Sequence, residues 1–202
     1  MARIRDYSQA TDDELVQASR ARDRRAFEEL VNRHRDTVFS RAFSMVRNAD
    51  DALDLSQEAW VKAWRGLGQF HGDSRFTTWV TRITINVCLD FLRRRKRAYF
   101  ESTETLEETI GGVEHLLPPV EVDPLAGLEQ QELRKQIDAA LGALSDVHRA
   151  AVVMFEFEGL EYKEIAKRMG CSIGTVMSRL FYARRRLAEL LTGLKEARQH
   201  EH

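Results

Sequence analysis

Between positions 174 and 185 the chain places Gly174, Thr175, Ser178, Arg179, Phe181, Tyr182 and Arg185, with Arg184 and Arg186 beside them. Glycine and small hydroxyl residues let a backbone come close to another surface, and arginine neutralises phosphate or pairs with guanine edges. No carboxylate follows until Glu189, whereas a face that meets only water carries Glu and Lys together. The chemistry that suits this set is contact with duplex nucleic acid. The bland alternative is an amphipathic helix with an arginine-rich back, and the element that carries the residues separates the two.

Val176, Leu180, Ala183, Leu187 and Leu191 are spaced by four, three, four and four. That is the stripe of an α-helix with the polar set facing outward. Ser172 stands where a side-chain oxygen can accept a hydrogen bond from a free N–H of the first turn. Before it, Ile165, Ala166 and Met169 form one face of a shorter helix, and Gly170 supplies the left-handed residue that stops a helix sharply. Two helices joined by a three-residue turn that starts at glycine make a helix-turn-helix, which favours DNA.

Two further sets occur upstream. In DALDLSQEAWVKAWRGL, Leu53, Trp60, Val61 and Trp64 have helical spacing and are expected in the core, while Asp51, Asp54, Gln57 and Glu58 form an acid-and-amide patch. Acids in a first turn also complement the helix dipole, so a merely solvated face stays open at this point. The loop QFHGDSRF follows, with Gly72 allowing a tight turn, and then TTWVTRITINVCLDFLRRRKR. Trp79, Ile83, Val87, Phe91 and Cys88 mark its expected buried side, and five basic residues, 93–97, are expected to end it. Beyond Arg82 and Asn86, such a run suits a phosphate track better than simple capping.

The elements that hold these sets are read from the same periodicity. Thr11 and Glu14 have capping-box spacing before Leu15, Val16 and Ala18. A helix over about 24–46 buries Phe27, Leu30, Val31, Val38, Phe39, Ala42 and Met45, and Asp50 or Asp51 caps the next. No alternating strand pattern occurs, so the fold is expected to be all-α. The formal charge of −1 conceals a division: residues 1–98 carry +5, residues 99–133 carry −9 without a single base, and residues 134–202 carry +3. All three prolines, Pro118, Pro119 and Pro124, fall in the acidic part. The expected organisation is two small helical domains, residues 1–98 and 131–202, joined by an acidic flexible linker, 99–130.

Cys88 and Cys171 have no CxxC partner, so neither a disulfide framework nor a zinc site is expected. The terminal HEH suits a frayed end better than a metal site. No stretch approaches the ~20 apolar residues of a membrane span. A cytoplasmic setting without membrane insertion and without a cofactor is the expectation. No Ser/His/Asp set, P-loop or metal-ligand cluster suggests an enzyme.

The order AFEELVNRHRDTVFSRAF, DALDLSQEAWVKAW, FHGDSRFTTWVTRITINVCLDFLRRRKR, linker and helix-turn-helix resembles an extracytoplasmic-function sigma factor, over about residues 13–191. The resemblance implies a transcription initiation factor that directs core RNA polymerase to promoters and assists strand opening. It assigns Asp51, Asp54, Gln57 and Glu58 to polymerase docking. It assigns Phe70, Asp73, Ser74, Arg75, Phe76, Thr78, Trp79, Arg82 and Asn86 to capture of an extruded minus-ten base, with Arg93, Arg94 and Arg95 on the neighbouring backbone. Trp79 suits either stacking on the base or the core. Gly174, Thr175, Ser178, Arg179, Phe181, Tyr182 and Arg185 would read the minus-thirty-five duplex, and the acidic linker would either imitate nucleic acid or act as a tether. Met177 and Tyr182 depart from the family, many members of which carry a basic residue there. An anti-sigma factor is an implied partner. The alternative is a stand-alone helix-turn-helix regulator that binds duplex DNA by itself, and a DNA-acting nuclease ranks behind both.

Overall fold

Helices alone make up the regular structure among the residues described, 7–102 and 128–199, in a computed structural model of the chain. In chain order these are α1 (Asp12–Arg20), α2 (Arg24–Val46), α3 (Ala49–Gly66), a 3-10 turn (Leu67–Gln69) and α4 (Phe76–Ser102), then α5 (Leu128–Gly142), α6 (Asp146–Val152), a π-helical turn (Val153–Phe157), α7 (Tyr162–Met169) and α8 (Ile173–Gln199). The fold is all-α, as expected. Most of the acidic segment, and the HEH tail, lie outside the described residues.

The chain divides into two compact units, Met1–Phe43 with Asp50–Cys88, and Ser44–Ala49 with Leu89–His202. In the first, α1 starts with the expected capping box. The Glu14 N–H donates to Thr11 Oγ1 at 3.3 Å, and the Thr11 N–H donates to the Glu14 carboxylate at 2.7 Å. Leu15, Leu30, Val38, Ala42, Phe76, Val80 and Ile85 are fully buried or nearly so. Burying a Leu, Ile, Val or Phe side chain contributes about 1.5–3 kcal/mol relative to exposure, so this core holds the unit.

Four expectations change. α3 buries Ala52, Leu55, Ser56, Ala59 and Ala63, while Leu53 and Val61 are 51% and 48% exposed, so the expected core stripe is displaced round the helix. Trp60 and Trp64 are half-buried and pack on Phe27, with centroids 6.0 and 4.9 Å away. α3 starts at Ala49, which puts Asp50 and Asp51 inside its first turn rather than at its cap. α4 does not end at the basic run but continues to Ser102, because Arg and Lys are strong helix formers. Its buried positions include Val80, Thr84, Ile85, Val87 and Cys88, with Ile83 and Phe91 only half-buried.

In the second unit, Ala150, Ala151, Val153, Met154, Ile165, Val176 and Ala183 are buried to within 1%. The Arg149 guanidinium is also buried, donating to the Leu144 carbonyl at 2.9 Å and to the Asp146 carboxylate. Those bonds offset the cost of removing a cation from water. No helix among the described residues is long and apolar enough to cross a membrane.

Candidate nucleic-acid and polymerase interfaces

α7 and α8 meet as the local sequence requires. Gly170 adopts φ +63° and ψ 40°. Its N–H reaches the Lys167 carbonyl at 3.4 Å, and the Cys171 N–H reaches that of Ala166 at 3.1 Å. This is the Schellman closure, which an L-residue with a Cβ enters only at a cost. Ser172 Oγ then accepts the Thr175 N–H at 3.0 Å and shares a hydroxyl bond with Thr175 at 2.8 Å. Val176, Leu180 and Ala183 face inward; Gly174, Met177, Ser178, Phe181, Tyr182 and Arg185 face solvent, and Thr175 and Arg179 are half-buried. A Cβ at Gly174 would meet only Ser172 Oγ, 3.7 Å away, so the outer side of this turn is open to a close neighbour.

The arginines of α8 are less free than the sequence implies. Arg179 turns back toward Met169 Sδ and Cys171 Sγ at 3.7 and 3.5 Å. Arg184 bonds Glu156 at 2.9 Å and lies over the Phe155 ring, while Arg185 and Arg186 each contact Glu189 at 3.3 Å. Exposed pairs of this kind contribute about 0–1 kcal/mol, little enough for a phosphate to displace the partner.

In the first unit, the loop before α4 turns at Gly72, φ +84°. It stands on an aromatic cluster: Phe70 lies 6.1 Å from Phe76 and 5.1 Å from Trp79, and Phe76 lies 5.8 Å from Trp79. Phe70 and Phe76 are buried, so they support the loop from beneath and offer no ring face to a ligand. Trp79 is half-buried, packed as core yet part of the surface. Asp73, Arg75 and Asn86 are exposed, with Ser74, Thr78 and Arg82 half-buried. Arg82 Nε is buried without a hydrogen-bond partner among the described residues, which leaves it donor capacity.

On α3, Asp54 and Gln57 are exposed and Asp51 and Glu58 half-buried, with Glu58 bonded to Lys62 at 2.9 Å. The exposed Leu53 and Val61 flank them. Sequence reasoning assigned both to the core and so missed an apolar component of this face. Two apolar side chains among acids and an amide form a mixed surface of the kind protein interfaces use. Further along α4, Arg93, Arg94 and Arg95 are exposed. In the second unit Arg93 donates to Asp90 and to the Arg168 carbonyl, and Arg95 to Asp146, all exposed interactions. Among the described residues, no three His, Cys, Asp or Glu side chains gather as a metal site.

Comparison with known proteins identifies the family. Residues 30–98 match the family description Sigma-70 region 2, and residues 134–187 match Sigma-70, region 4. The RNA polymerase sigma-H factor of Pseudomonas aeruginosa is 36% identical over 189 residues, covering 93% of this chain and 97% of that protein. The ECF RNA polymerase sigma-E factor of Escherichia coli is 34% identical over 181 residues, covering 87% and 92%. In three dimensions the chain is similar to the sigma factor RpoE of Bartonella quintana, solved with the anti-sigma factor NepR. That likeness has a TM-score of 0.54 at 28% identity and covers 82% of this chain and 96% of that one. With both family descriptions matched in order and relatives of 34–36% identity matched over nearly their whole length, the chain belongs to the extracytoplasmic-function sigma factors, transcription initiation factors that bind core RNA polymerase and promoter DNA.

Proposed function

We propose a division of this initiation role among the surfaces just described. Asp51, Asp54, Gln57 and Glu58, extended by the exposed Leu53 and Val61, form the face that docks on core polymerase. The loop at 70–76 and the first turns of α4 take the extruded minus-ten base. Asp73, Ser74, Arg75, Thr78, Arg82 and Asn86 read or hold it, Trp79 lines the site, and Phe70 and Phe76 brace it. Extrusion costs a few kcal/mol, which hydrogen bonds to the base edge and about 1–3 kcal/mol of aromatic stacking can offset. Arg93, Arg94 and Arg95 follow the adjoining phosphates. Gly174, Thr175, Ser178, Arg179, Phe181, Tyr182 and Arg185 meet the minus-thirty-five duplex. The functional domains are taken as residues 1–98 and 131–202, with 99–130 between them.

The observation that carries this proposal is the outward face of α8. Its first sixteen residues, 173–188, contain no acid, and its aromatic and small side chains stand exposed opposite a buried stripe. The chain itself is assigned no catalytic step and acts in the cytoplasm, where its polymerase is. By analogy with the RpoE–NepR complex, an anti-sigma factor is proposed as its regulator.

Run-off transcription with purified core polymerase on a pool of genomic fragments tests the assignment. Start sites that share two upstream elements are expected, together with weak duplex binding by the chain alone. Nanomolar binding to palindromic duplex without polymerase, and no initiation with it, would instead identify a self-sufficient regulator.

A further inference from the structure

A helix that reads DNA by hydrogen bonds carries Arg, Lys, Asn or Gln on the turns nearest the bases. The outward face of the early turns of α8 is rich in carbon instead. Met177, Phe181 and Tyr182 are 54%, 63% and 59% exposed. Phe181 and Tyr182 brace each other edge to face, with centroids 5.5 Å apart. Met177 and Phe181, at i and i+4, lie on one face, and Tyr182 carries the patch about 100° further round the helix; a rise of about 6 Å over four residues spans roughly two base-pair steps.

The polar groups nearby have partners within the chain, the exposed ion pairs being weak enough for a phosphate to take over the arginine. Ser178 Oγ donates to the Gly174 carbonyl at 3.0 Å. Arg179 faces the sulfur atoms of Met169 and Cys171, and Arg185 is paired with Glu189. Among base-edge groups in the major groove, the C5-methyl of thymine is the one that suits such a surface. The basic residues beside the patch, the missing acids and the open backbone at Gly174 favour duplex DNA over a protein as its occupant.

We infer that this sigma factor selects its upstream element through thymine methyl groups, which Met177, Phe181 and Tyr182 contact, rather than through arginine–guanine pairing. The inference rests on the assignment of α8 to the minus-thirty-five duplex and names the base chemistry it prefers.

The test uses holoenzyme assembled from core polymerase and the full chain. Binding selection from duplexes randomised over the upstream element supplies the preferred sequence. Each thymine is then replaced by uracil, which removes one methyl group and leaves the hydrogen-bonding edge unchanged. Affinity falls by about fourfold for each contacted methyl, at two or more positions. In Phe181→Ala and Tyr182→Ala holoenzymes the same replacements lose their effect at the position each side chain serves. If uracil stays within about twofold of thymine everywhere, the inference is overturned. Invariant guanines whose preference Arg179→Ala relaxes also overturn it. So does loss of polymerase retention, rather than DNA affinity, in Phe181→Ala and Tyr182→Ala, which would mark the patch as a protein-docking surface. Enrichment of no sequence at all would sink the assignment of α8 to DNA as well, an outcome seen before any uracil is introduced.

Discussion

Reversing two charges on α3, Asp54→Arg together with Glu58→Arg, separates docking from folding because the structure predicts very different magnitudes for each. Asp54 is exposed on the second turn, and Glu58 is bonded to Lys62 at 2.9 Å with both side chains near half exposure. Losing that i, i+4 pair costs about 0.3–0.5 kcal/mol, and the like-charge contact that replaces it costs about as much again. The fold therefore loses about 1 kcal/mol, a fall in Tm of roughly 4–8 °C for a unit of this size. At an interface, truncating one member of a desolvated charge pair costs about 2–5 kcal/mol. Two reversals should therefore weaken polymerase binding by at least about a thousandfold. The assay is a binding titration against core polymerase, with thermal unfolding of the same preparations. Asp36→Arg, an exposed reversal on α2, controls for general charge effects. A double variant that melts as expected yet binds within about tenfold of the parent would refute the docking assignment.

Asn86→Ala should impair strand opening, read by permanganate reactivity of unpaired thymines, more than closed-complex formation; equal losses would argue against base capture. Gly170→Ala meets no neighbouring atom but must hold φ +63°, so a loss of about 1–2 kcal/mol is expected in denaturant unfolding, and a neutral result would contradict the turn geometry. Burial, with a smaller contribution from the charge of Glu58, pushes the Cys88 thiol up to about 12 from 9.0. Iodoacetamide at mildly alkaline pH should then label Cys88 about a thousandfold more slowly in the folded chain than in denaturant. Below about pH 9 both states keep this proton and stability is unaffected. Between about 9 and 12 only the unfolded chain releases it, so up to ~4 kcal/mol is lost as pH rises, a slope that Cys88→Ala should lack.

The helix-turn-helix was legible because its signals are local. Gly170, Ser172 and the stripe from Val176 each specify backbone geometry within a few residues, and the observed hydrogen bonds satisfy them in turn. α3 was misread because it carries two stripes of the same period. One is bulky, with Leu53, Trp60, Val61 and Trp64, and one is mostly small, with Ala52, Leu55, Ala59 and Ala63. Size favoured the first, but small side chains allow close packing, and that choice is made by the neighbouring helices. Phe70 and Phe76 were assigned to DNA for their place in the loop, and only the three-dimensional cluster turns them inward. The pairing of α8 arginines with Glu156 and Glu189 was equally invisible to periodicity, although Glu189 stands four residues after Arg185.

The π-helical turn at Val153–Phe157 bears on how this unit can change over generations. A π turn is an α-helix holding one surplus residue, and the surplus rotates everything after it by about a quarter turn. Residues 149–154 are all buried in succession, more than a regular helix can offer to a single core. Trimming one position there would restore ordinary winding and swing either Val153 or Met154 out into water. At this site an insertion or deletion is a change of phase rather than of length, because it re-faces every side chain of the buried run that follows it.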